Sequence, residues 1–207
     1  MLRLRYIAIA VLLLGASLHA GDKKKQGLMG VRTDQTADLA PVKMVMAGQK
    51  CENWSLAAGL ETLLQQQGVG LDQKFWVTRL SGNELCRRDI PTMESLADAV
   101  NQDLVLPGGR HVRLELGAVT GAPTDMDAII AGIKQQRLFL LLWNGHTYYL
   151  TGVTYDEYIG GNGTRMFDVK ELRLADTYPE YPATTFQKGR DNMSEIDGLL
   201  MVNVVPQ

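Results

Sequence analysis

Residues 48–68 read "GQKCENWSLAAGLETLLQQQG". Asn53 is a residue type suited to a helix N-cap, and Leu56, Leu60, Leu63 and Leu64 recur at helical spacing. Gly68 supplies the usual C-terminal stop. The stretch therefore predicts a helix that starts beside Asn53, buries a leucine stripe and closes at Gly68. Gln49, Cys51 and Ser55 crowd its mouth. Three side chains with chemistry at one helix start make this segment the place where function is decided.

Towards the N-terminus, "PVKMVMA" (41–47) alternates apolar residues and predicts a short strand. Residues 21–40 are polar and glycine-bearing with no apolar period, which reads as a linker or surface arm. Before them, "MLRLR" is basic, "YIAIAVLLLGA" is apolar and "SLHA" ends in a small residue. This is the layout of a signal peptide over 1–20, with a cleavage point after Ala20; an uncleaved membrane anchor is the competing reading. The mature protein is expected to be secreted or periplasmic, a monomer with no membrane partner after cleavage. Residues 41–207 are expected to form one domain.

Export bears on Cys51 and Cys86, the only cysteines. An oxidising compartment admits a bridge between them, and closing a loop of this size stabilises by about 3 to 4 kcal/mol. A reactive Cys51 beside an unrelated Cys86 thiol is the competing reading.

Towards the C-terminus, "DQKFWVTRL" (72–80), "PTMESLADAVNQ" (91–102) and "PTDMDAIIAGIKQQ" (123–136) predict helices. The stretches "HVRLEL", "LFLLLW", "HTYYLTGVTYDE", "TRMFDV", "KELRLADTYP" and "GLLMVNVV" predict strands, and "GGNG" (160–163) a hairpin turn. Helices come first and antiparallel strands later, so the fold class is α+β.

Several function classes are excluded at this stage. A net charge of -2 without a basic block beyond Lys23–Lys25 gives nucleic acid no footprint. Beyond the signal segment only His111 and His146 remain, no HExxH or CxxC spacing occurs, and "GGNG" lies between strands rather than at a helix N-terminus. No metal and no cofactor is expected. His146 follows an apolar run and an Asn144–Gly145 step, and Asp176 ends a strand, where a carboxylate can orient an imidazole through Nδ1.

Taken in order, "QKCENWSLAAGLETLLQQQG", "GHTYYLTGV" and "ADTYP" resemble the papain-like cysteine peptidases, in particular their compact bacterial branch of bacteriocin-processing transporter peptidases. The resemblance runs from about Pro41 to Val205. It implies a papain-like fold, an N-terminal central helix packed on a C-terminal antiparallel sheet. It also implies Gln49 as oxyanion glutamine, His146 as general base, Asp176 as orienting acid, and a disulfide between Cys51 and Cys86. At the position matching the nucleophile stands Ser55.

A thiol titrates near pH ~8.5 and falls by several units at a helix N-terminus beside an imidazolium. A serine hydroxyl stays protonated and must lose its proton during attack, which needs a base in tight hydrogen-bond geometry. Three readings follow. The chain is a degenerate peptidase homologue that binds a peptide or protein; or it is a hydrolase using Ser55, His146, Asp176 and Gln49; or Cys51 is the nucleophile. A Cys51–Cys86 bridge removes the third.

Overall fold

The computed structural model describes residues 28–40, 46–87 and 91–207. The expected signal peptide and most of the strand expected at 41–47 lie outside them; Met46 and Ala47, which are described, are not in a strand. In chain order the elements are β1 (Leu28–Asp38), α1 (Ser55–Gln65), α2 (Gln73–Ser81), α3 (Met93–Val100), β2 (Gln102–Leu106), β3 (Arg110–Thr120), α4 (Met126–Lys134), β4 (Phe139–Trp143), β5 (His146–Gly160), β6 (Arg165–Asp176), β7 (Thr184–Gln187) and β8 (Ile196–Pro206). The class is α+β, as the order of helices and strands predicts. Among the described residues no helix is long and apolar enough to cross a membrane.

The strands form one antiparallel sheet in the order β2-β3-β8-β4-β5-β6-β7. Its centre is the apolar run of β4. Leu140 and Leu142 face one core together with Leu60, Leu64 and Trp76; Phe139 and Leu141 face a second with Ile129, Ile130 and Ile133. Alternate side chains of a strand point to opposite faces, so a strand covered on both sides carries no polar position. The helix α1 packs on β5 and β8, α3 on β3, and α4 on the other face against β5 and β6. Gly59 sets how closely α1 approaches: a Cβ there would lie 2.8 Å from Leu140 Cδ1.

Four expectations change. Part of the stretch read as a linker or surface arm is β1, paired antiparallel with β5 from Leu28↔Gly160 to Asp38↔Gly152. Of its residues from Gly30 to Asp38 only Ala37 is buried. The strand is held by ladder bonds and by the pairs Arg32–Glu157 (3.4 Å), Asp34–Lys170 (2.7 Å) and Asp38–Arg173 (2.5 Å), so it has no apolar period to read. Asn53 does not cap α1: Trp54 is the N-cap residue without a side-chain cap, and Asn53 Nδ2 donates to Cys86 O at 3.3 Å. The third predicted helix stops at Val100, because Asn101 turns extended and accepts from the Leu116 amide at 2.7 Å. "TRMFDV" and "KELRLADTYP" form one strand, β6, with an irregularity opposite Thr154/Tyr155. The short strands β2 and β7 were not expected.

Candidate active site

Two elements supply the site: the N-terminus of α1 and the open end of the β4–β5–β6 sheet. Asn144 and Gly145 both have positive φ (51° and 71°) and reverse the chain tightly from β4 into β5. His146 is therefore the first residue of β5. The long β5–β6 hairpin turns at Gly160–Gly163 and returns to place Asp176 opposite Tyr148. Register shifts after Leu150 and after Thr154 cancel over its length. The wide sequence gap between His146 and Asp176 is thereby closed.

His146 Nε2 lies 3.0 Å from Asp176 Oδ1. An ionised Asp176 only accepts, so Nε2 is the donor and the carboxylate engages Nε2 rather than Nδ1. The same oxygen accepts the Tyr178 amide at 2.7 Å, which fixes the carboxylate. Asp176 is buried, whereas the His146 side chain is 26% exposed and its ring meets that of Tyr148 edge-on at 4.7 Å. Burial, and secondarily the charge of Asp176, raises the Tyr148 pKa.

Ser55 is the first residue of α1 rather than the second helical position implied by an Asn53 cap. Its hydroxyl is buried and accepts the amide of Thr147, the residue after His146, at 3.2 Å. Among the described residues it makes no hydrogen bond to His146. Gln49 is also buried, and its amide is engaged at both ends: Nε2 donates to Cys51 O at 2.6 Å, and Oε1 accepts from the Thr177 hydroxyl at 2.9 Å. The Gln49 backbone amide donates to Thr177 O at 3.0 Å. Gln49, Ser55, His146 and Asp176 thus converge, through Thr147 and Thr177, on one end of the sheet.

Cys51 and Cys86 form a disulfide with Cα atoms 6.0 Å apart. Cys51 is therefore not a free nucleophile, and the thiol reading is withdrawn. The bridge anchors the helix mouth: Trp54 Nε1 donates to Leu85 O at 3.3 Å, and the Trp54 amide to Cys51 O at 2.9 Å.

Sequence reasoning missed the layer beneath these residues. Gln73, fully buried, donates from Nε2 to Gly48 O and to Glu61 Oε2, each at 2.9 Å, and accepts the Lys50 amide at 2.9 Å. It thereby grips the loop on both sides of Gln49. Thr62 accepts the Ala47 amide at 2.9 Å and meets Tyr149 Oη at 2.7 Å. Burial drives the Tyr149 pKa up to about 12, against the Thr62 hydrogen bond, with Glu61 and Asp176 adding to the rise. A polar residue on an otherwise apolar helix face was the only available signal for Gln73 and Thr62. Of the aromatics near these residues, Trp54 and Tyr149 are core residues; Trp143 and Tyr148 are half-buried beside His146.

No family model matches the chain, and no curated protein matches it. Among solved structures it is similar to the peptidase domain of Streptococcus ComA, described as a bi-functional ABC transporter involved in a quorum-sensing pathway. The identity is 16% over 80% of this chain and 100% of that domain, with a TM-score of 0.45.

Proposed function

We propose that the chain is an exported papain-like peptidase homologue, degenerate at the nucleophile position, that acts as a peptide- or protein-binding module. The observation that carries this reading is the engagement of Ser55: its hydroxyl takes the Thr147 amide and makes no hydrogen bond to the imidazole. A serine lacks a resting anionic form, so without that contact nothing removes its proton during attack. Gln49, which resembles the oxyanion glutamine, already spends an amide proton on Cys51 O. The surface beside His146 suits a ligand: Trp143 and Tyr148 lie half-buried there, and Tyr178 stacks near the exposed Tyr181 with ring centroids 5.1 Å apart. Export is supported by the disulfide together with the N-terminal composition.

A second reading, a working hydrolase, is favoured by one observation. The His146–Asp176 pair is intact at 3.0 Å and leaves Nδ1 of the imidazole outside that contact. Incubation of the non-reduced protein with a fluorophosphonate, followed by intact-mass and peptide analysis, separates the two. The binding reading expects an unmodified Ser55. An adduct on Ser55 that disappears in His146→Ala would establish the hydrolase instead.

A further inference from the structure

On the face of the sheet opposite α1, α4 covers β5 and β6 but leaves the neighbouring part of β3 and β8 uncovered. A groove of about 580 Å³ remains between them, within the size range of small-molecule sites. Its floor is Val119, Leu199 and Met201, its inner end Ile129 and Phe139. The wall is the face of α4 that presents Ala128 and Ala131, whose small side chains leave the groove open, while Gly132 lets the Phe139 ring close against the helix at the inner end. Main-chain groups between β3 and β8 are used in their ladder, and those of α4 past its first turn are used within the helix. A ligand lying on this face meets apolar side chains; the β3 backbone past Leu114, where the pairing with β2 ends, is open along the sheet edge and not into the groove.

Polar groups stand only at the two ends. Asp125, ahead of α4, neither caps the helix nor joins an ion pair with any described residue. Gln135 and Arg137, past its other end, line the groove, and neither side chain has a hydrogen-bond or ion-pair partner among the described residues. Two donors, one of them a permanent cation, thus sit together at one end. The carboxylate of Asp125 sits at the other, roughly 13 Å away along the nine-residue helix.

We propose that this groove binds a single-chain aliphatic carboxylate. Its chain lies along the small-residue face of α4 and its head group is held by Arg137 and Gln135, while Asp125 disfavours the reverse orientation. The site is separate from the His146 end of the sheet and does not depend on the function proposed there.

Dodecanoate, below its micellar concentration, is the probe, and titration calorimetry the readout. Saturable binding at one site per chain is expected. Ala131→Trp, on an exposed position of α4, should abolish binding by filling the groove. Arg137→Glu should weaken it by roughly tenfold or more, as loss of a charge-assisted hydrogen bond implies, while Arg137→Lys retains most of it. Dodecyltrimethylammonium should bind more weakly than dodecanoate. Circular dichroism of each variant confirms that it is folded. The proposal is overturned if wild-type protein does not bind dodecanoate, if folded Ala131→Trp and Arg137→Glu both bind it as wild type does, or if the cationic amphiphile binds equally well. It is also overturned if the protein sediments as a dimer that Ala131→Trp dissociates, since a second copy would then be the occupant.

Discussion

Replacing Gln73 by methionine keeps the side-chain volume and removes three hydrogen bonds from under the Gln49 loop. Gly48 O, the Lys50 amide and Glu61 Oε2 each lose a partner. Lys50 is exposed and its amide can turn to water, whereas Glu61 is only 7% exposed and among the described residues keeps Gln65 alone. A buried unsatisfied group costs about 1 to 3 kcal/mol, more if charged, so the net loss should be about 3 kcal/mol. For a chain of this size that lowers Tm by about 6 to 12 °C. Gln73→Glu adds a signature that a packing defect cannot produce. The introduced carboxylate faces Glu61 and Gly48 O, so the folded state raises its pKa above the unfolded value near ~4.3. The deficit is then smallest at pH 4, where the protonated group still donates one of the two hydrogen bonds, and grows as the pH rises through and beyond the unfolded value. Thermal melts at pH 4 and pH 7, with amide exchange at Gln49 and Lys50, measure both effects. A Gln73→Met melt within about 2 °C of wild type, or a Gln73→Glu deficit independent of pH, would refute the assignment of Gln73 as the loop's anchor.

Three more outcomes are expected. Tyr149 is fully buried with its pKa at about 12, so the contribution of its neutral form is complete below the unfolded value near ~10 and is lost between there and 12. Chemical denaturation at pH 9 and pH 11.5 should show wild type losing about 2 kcal/mol across that window, an alkaline loss that Tyr149→Phe lacks. Reducing the Cys51–Cys86 bridge should lower stability by about 3 to 4 kcal/mol, read as a fall in Tm of roughly 10 °C. In the double variant Cys51→Ala/Cys86→Ala, the melt should be insensitive to reductant. Gly59→Ala gains about 1 kcal/mol of helix propensity but drives a methyl to 2.8 Å from buried Leu140 Cδ1, so it should destabilise by about 1 kcal/mol net in urea titration.

What the sequence made legible follows from which features are local. The leucine stripe of α1, the doubly buried run of β4 and the Gly160–Gly163 turn declare themselves through period, composition or turn chemistry, and the structure has each in place. Strand β1 does not, because its partners are charges on β5 and β6 more than a hundred residues away. The Asn53 cap failed for a related reason: the disulfide brings Cys86 O within reach of the Asn53 amide, and a tertiary acceptor displaced the local one. His146 and Asp176 stand out in the sequence as strand-end residues, and the antiparallel return of β6 joins them. The contacts of Ser55 and Gln49 were beyond reading, since Thr147 and Thr177 act through backbone amides and a hydroxyl that carry no sequence pattern.

The proposed function requires that α1 and the His146–Asp176 pair form a peptidase-type constellation with a serine at its nucleophile position. Ser55→Cys tests it most directly, through the pH dependence of alkylation by iodoacetamide under non-reducing conditions. If the constellation is real, the introduced thiol should be alkylated well below pH ~8.5. Its titration should move up towards the ordinary thiol range when His146→Ala is added, the helix N-terminus alone remaining. A Ser55→Cys thiol that titrates near or above the ordinary value whether or not His146 is present would contradict the account. Ser55 would then be a helix-start serine beside a structural histidine.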